Sequence, residues 1–112
     1  MNEGQFQSKV LTWLRKNDVF VIKYNASGIS EAGVPDVIMN LQGYFVAVEL
    51  KQERGRPTEL QKYKINEINK TAVACVLRPS KFELFKTLVL KFKEDNDYNE
   101  FKRNIINNIG VK

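Results

Sequence analysis

Two short apolar runs, Val37–Leu41 and Tyr44–Lys51, are separated only by Gln42-Gly43, and nothing else in the chain restricts its fold as tightly. Both runs are rich in β-branched and aromatic residues, and a two-residue gap containing glycine predicts an antiparallel β-hairpin. Side chains along a strand alternate between faces. Val46, Val48 and Leu50 therefore share one face, and Phe45, Ala47, Glu49 and Lys51 the other. A carboxylate and an ammonium thus finish the second strand side by side. Asp36, which follows Pro35 at the mouth of the first strand, lies at the same end of the hairpin. Two acids and a lysine meeting at one rim of a sheet suit a hard cation, because Mg²⁺ and Mn²⁺ prefer carboxylate and water oxygens.

The flanking segments supply the rest of an α/β unit. Phe6, Val10, Trp13 and Leu14 recur at helical spacing within Glu3–Lys16, predicting an amphipathic helix. Val19–Tyr24 reads as a strand with Phe20, Ile22 and Tyr24 on one face and Val21 and Lys23 on the other. Asn25–Gly33 is polar and glycine-bearing, and its place before Asp36 suits a mobile flap. Thr58-Glu59-Leu60-Gln61 fits a capping box and starts a second helix. Thr71–Leu77 is almost continuously apolar, the pattern of a central strand covered on both faces. Ser80 and Glu83 suggest another capping box, opening a helix with Phe82, Phe85, Leu88, Val89 and Phe92. Phe101, Ile105, Ile106 and Ile109 mark a last, weaker helix. The order is α-β-β-β-α-β-α plus a C-terminal helix, with the fourth strand reached by a helical crossover.

Composition narrows the chemistry. The 112 residues make one domain with enough apolar residues, 43%, for a true core. A formal charge of +5 favours a polyanionic partner. The chain has no histidine, which removes Ser-His-Asp and Cys-His catalysis and the usual Cys/His zinc sites. Its one cysteine, Cys75, sits in an apolar run and is expected to be a buried hydrophobe. No apolar run approaches the ~20 residues that span a bilayer, so a soluble, cytoplasmic protein is expected.

Pro35-Asp36, then Glu49-Leu50-Lys51 thirteen residues on, resembles the PD-(D/E)xK nuclease signature. The wider pattern is similar to the VRR-NUC family of virus-type replication and repair nucleases: Glu3, Gly33-Val34-Pro35-Asp36, Glu49-Leu50-Lys51, and Gln61 in the next helix. The resemblance implies a restriction-endonuclease-like core, α-β-β-β-α-β with a mixed four-stranded sheet flanked by helices, over about residues 1–90. A helical extension fills about 91–112. It also implies metal binding by Asp36, Glu49 and the Leu50 carbonyl, with Glu3 completing the shell or serving a second ion. Lys51 would position or activate the attacking water, and Gln61 would orient Lys51 or the phosphate. Two of these residues have structural competitors. An acid at the start of any helix meets the positive end of its dipole, as Glu3 would. The capping box gives Gln61 a task of its own, so its side chain is expected to choose one partner.

The expected activity is divalent-metal-dependent, structure-selective cleavage of DNA in phage-type replication, repair or recombination. Free-standing relatives resemble Holliday-junction resolvases, which implies branched DNA as substrate and a homodimer. Lys23, Arg54, Arg56, Lys62 and Lys64 are the expected nucleic-acid contacts, with Arg78 also near the cleft, since phosphate contacts supply most such affinity. Phe101, Ile105, Ile106 and Ile109 are candidates for the dimer interface, with core packing as the alternative. The competing functions are a non-cleaving basic nucleic-acid-binding module on the same fold, a flap or exonuclease, a small interaction domain in which the motif is coincidental, and a sequence-specific restriction-type enzyme. The last has no visible recognition insertion in so short a chain.

Overall fold

The computed structural model describes residues 1–25 and 31–112. Helix α1 spans Glu3–Lys16, and Asn2 caps it through a reciprocal capping box with Gln5. Strands β1 (Phe20–Lys23), β2 (Val37–Leu41) and β3 (Tyr44–Leu50) follow, then helix α2 (Glu59–Ile68) and strand β4 (Val73–Leu77). A 3₁₀ turn, Pro79–Lys81, leads into α3 (Phe82–Asp95); α4 (Tyr98–Asn104) and a π-helical turn, Ile105–Ile109, complete the chain. The sheet order is β1-β2-β3-β4, with the first two pairings antiparallel and the third parallel. This mixed four-stranded sheet between helices is the architecture the sequence predicts.

The hairpin register follows from its turn. Gln42 and Gly43 have φ of 54° and 86°, and Leu41 pairs with Tyr44. Positive φ at both turn positions matches the twist of the flanking strands. Register then sorts the side chains. Val46, Val48 and Leu50 of β3 join the main core with Phe6, Val10 and Leu14 of α1 and Phe85, Val89 and Phe92 of α3. Ala47 turns to the opposite face, where Ala74 and Val76 of β4 meet Ile65 of α2. That second cluster is small because only one short helix covers this face. Beyond α2 the sheet is bare: Phe20, Ile22 and Phe45 are 62%, 53% and 46% exposed.

Three expectations need correcting. The apolar run of β4 is buried on both faces, yet β4 ends the strand order instead of lying at its centre. Its outer side receives the chain end, for Val76 N–H donates to the Gly110 carbonyl at 3.0 Å. Ser80 does not cap α3; its N–H and hydroxyl both donate to the Glu53 carboxylate. Phe101 and Ile105 are core residues and Ile109 packs against the core, so of the four C-terminal apolar residues only half-exposed Ile106 is not part of it. The flap expected over Asn25–Gly33 lies for the most part outside the described residues.

Candidate active site

The site forms where β2 begins and β3 ends. Val37 pairs with Val48, so one step further along the hairpin Asp36 stands beside Glu49. Asp36 follows a proline, and its carboxylate takes up a backbone donor from the neighbouring strand: Oδ2 accepts the Leu50 N–H at 3.0 Å. The Tyr24 N–H donates to the Asp36 carbonyl at 2.7 Å, holding the same residue from the β1 side. Asp36 is thereby fixed from both neighbouring strands.

Glu49 is the only buried charged residue among the described residues, 2% exposed, and shares its face with Ala47 and Val76. Lys51 Nζ lies 3.5 Å from Glu49 Oε2. Gln61 Nε2 donates to that same oxygen at 3.2 Å, while its Oε1 accepts the Thr58 N–H at 2.8 Å. The two ends of one amide therefore serve both tasks at once, the helix cap and the acid, and the expected choice between partners does not arise. The cap fixes the side chain that reaches the site.

Burial, and next the negative charge of Asp36, push the Glu49 carboxyl up from 4.5 to about 7, with Lys51 opposing them. Two carboxylates in contact resist joint ionisation unless positive charge joins them. Glu49 Oε1 is buried and has no hydrogen-bond partner among the described residues. An oxygen-rich pair with one unsatisfied buried oxygen fits a divalent cation, with Asp36 and Glu49 as its ligands and the Leu50 carbonyl between Glu49 and Lys51 in the chain.

Glu3 stands apart from the pair. It is exposed at the start of α1, and among the described residues no three acids gather closely enough to hold an ion. The helix end is nevertheless docked beside the site. Gln52, next to Lys51, accepts from the Glu3 N–H and donates to the Met1 carbonyl at 3.2 Å once its amide is oriented to satisfy both. Cys75 is fully buried, its thiol pushed up to about 12 by that burial, and it is inert packing as expected.

The expected nucleic-acid contacts divide. Arg54, Arg56 and Lys62 line one cleft of about 710 Å³ together with Arg78 and Lys112. Lys64 is not among the residues lining that cleft and pairs with Glu31 at 3.0 Å, and Lys23 is an exposed residue of β1. Lys112 is the cleft residue that sequence reasoning missed. No local pattern marks it, since the chain end reaches the cleft only by running along β4.

At the rim of this mixed sheet Asp36 lies against Glu49 and Glu49 against Lys51, the arrangement expected of the PD-(D/E)xK class of nucleases. The family model described as archaeal Holliday junction resolvase (Hjc) matches residues 4–97, and the chain belongs to that family. Among solved structures, the fold is similar to that of Hjc from Archaeoglobus fulgidus, a Holliday junction resolvase from an archaeal hyperthermophile, with a TM-score of 0.53 and 19% identity. The likeness covers 67% of this chain and 66% of that one. No curated protein matches the chain. No helix among the described residues is long and apolar enough to cross a membrane.

Proposed function

We propose that this chain is a divalent-metal-dependent endonuclease that cuts branched DNA, four-way junctions first among them, during replication, repair or recombination in the cytoplasm. The observation that carries this is the pairing of half-buried Asp36 with buried Glu49, with Lys51 and Gln61 on one Glu49 oxygen, in a chain of a junction-resolvase family. Glu3, Gly33-Val34 and Gln61 further support kinship with the VRR-NUC nucleases. Asp36, Glu49 and the Leu50 carbonyl would hold Mg²⁺ or Mn²⁺, which would supply Lewis-acid chemistry at the site. Glu3, whose backbone is docked through Gln52 but whose carboxylate stands apart from the pair, would serve the shell or a second ion through water.

The chain's own groups do the remaining work. Lys51 presents an ammonium beside Glu49, where it orients the attacking water and offsets negative charge developing on the phosphate. Gln61 holds Glu49 Oε2, leaving Oε1 available to a metal. Arg54, Arg56 and Lys62 draw the phosphate backbone along the adjoining cleft, and Lys23 and Lys64 extend the contact at the β1 side of α2. Recognition is then of backbone shape rather than sequence.

A two-fold substrate is matched by a two-fold protein, and a second copy of this chain is the proposed partner. With Phe101 and Ile105 in the core, the surface left for it is the bare face of β1–β3, where Phe20, Ile22 and Phe45 adjoin the catalytic rows of the same sheet. Large contiguous apolar exposure of this kind marks an interface.

The deciding experiment incubates purified protein with four-way junction, flap, nicked and linear duplex DNA in Mg²⁺ or Mn²⁺. Preferred cutting of the junction, lost in Asp36→Ala while that variant still binds DNA, supports the proposal. An Asp36→Ala protein that cuts at the wild-type rate sinks it.

A further inference from the structure

Lys51 directly follows β3 and is still tied to the sheet, its N–H donating to the Leu77 carbonyl at 3.0 Å, and beyond it the chain runs into residues 52–57. A lysine side chain is a flexible four-carbon stem, and an ammonium so placed wanders unless something confines it. The following loop does so. Gly55 N–H donates back to the Gln52 carbonyl at 3.0 Å, folding the loop on itself. The turn brings Gly55 against the lysine: a Cβ built on Gly55 lies 3.5 Å from Lys51 Cβ and 3.3 Å from the Gln52 nitrogen. The loop is thus packed on the base of the Lys51 side chain.

That loop is held from the end of β4. Arg78 Nη2 donates to the Gly55 carbonyl at 2.7 Å and to the Lys112 carbonyl at 3.0 Å. A second tie lies close by, where Ser80 Oγ donates to Glu53 Oε2 at 2.9 Å and the Ser80 N–H donates to the other oxygen. Arg78 shares the basic cleft with Arg54 and Arg56 but differs from them in kind. Those two are exposed and make no ion pair among the described residues, whereas the Arg78 guanidinium is half-buried and committed to backbone carbonyls.

We infer that Arg78 is a positioning residue for Lys51: by pinning Gly55 it holds the loop against the lysine stem and keeps the ammonium beside Glu49. This rests on the nuclease reading above for the role of Lys51, while the clasp itself is a property of the fold. Among the described residues Arg78 makes no hydrogen bond or ion pair with Asp36 or Glu49, its guanidinium bonding the Gly55 and Lys112 carbonyls instead. Its effect passes through Gly55, and a small displacement of a reacting group is enough to slow turnover greatly.

The test measures single-turnover cleavage of a four-way junction in Mg²⁺ at saturating protein, and binding of the same DNA in Ca²⁺ by fluorescence anisotropy. Circular dichroism checks that each variant is folded. Arg78→Ala should lower the saturated rate by about tenfold or more with affinity within about threefold of wild type, and millimolar guanidinium should restore part of the loss. Guanidinium should not rescue Lys51→Ala. If Arg78→Ala instead weakens binding and flattens its salt dependence while the saturated rate is unchanged, Arg78 is a phosphate contact and the inference is overturned. Hydrogen exchange of the Gly55 amide separates this from failure of the nuclease reading. Should no protein cut DNA, faster Gly55 exchange in Arg78→Ala upholds the clasp and discards only the nuclease role, while unchanged exchange discards the clasp.

Discussion

Replacing Glu49 with glutamine asks whether the acid pair is held against its own electrostatic preference. Glu49 is 2% exposed, and burial, then Asp36, raise its carboxyl from 4.5 to about 7 against the pull of Lys51. A carboxyl raised by folding stabilises the native state most while protonated. Its contribution is therefore complete below about 4.5 and is lost as pH rises through about 7. A rise from 4.5 to about 7 corresponds to about 3 kcal/mol, which relaxation of the site around the ionised acid reduces to ~1–2 kcal/mol. Glutamine keeps the shape of the protonated acid without its charge and still offers an oxygen to Gln61. At pH 8 and without divalent metal, Glu49→Gln should be the more stable protein by ~1–2 kcal/mol, a melting temperature about 4–8 °C higher. At pH 4.5 the gap should close. Mg²⁺ at pH 8 should then raise the melting temperature of the wild type and leave the variant unmoved. A variant that melts at or below the wild type at pH 8, or a gain undiminished at pH 4.5, refutes the reasoning.

Arg54→Ala combined with Arg56→Ala should weaken junction binding and reduce the slope of log affinity against log salt by about 2 if both meet phosphates, with folding unaffected. Titrations at several salt concentrations measure this, and an unchanged slope removes the cleft from the DNA path. Phe20→Asp with Ile22→Asp should convert a dimer to monomers in sedimentation velocity, with stability of the monomer fold changed by no more than about 0.5 kcal/mol because both side chains are exposed. A wild-type protein that sediments as a monomer at high concentration would exclude that face.

The hairpin could be read almost completely from its residues. Gln42-Gly43 dictates the turn, the turn dictates the Leu41–Tyr44 pairing, and strand parity then places Glu49 and Lys51 on a common face beside Asp36. The capping box at Thr58 was equally plain, because its donors and acceptors lie within four residues of one another. Period-two alternation, capping and left-handed turn residues all act over a few residues, and the chain alone carries that information. Distances across the sheet are of another kind. That β4 lies at the end of the strand order and is covered by the chain terminus, that Ser80 serves Glu53 rather than its own helix, and that Phe101 and Ile105 fill the core depend on which surfaces compete for one another after collapse. Even Gln61 shows the division. Its place at the third position of α2 is local, but its second hydrogen bond exists because Ile65 anchors that helix over Ala47 and Ala74. The sequence by itself determined which groups could meet at the rim. The tertiary structure decided how deeply Glu49 is buried and what holds Lys51 beside it, because burial and long-range contact arise only when separate elements pack together.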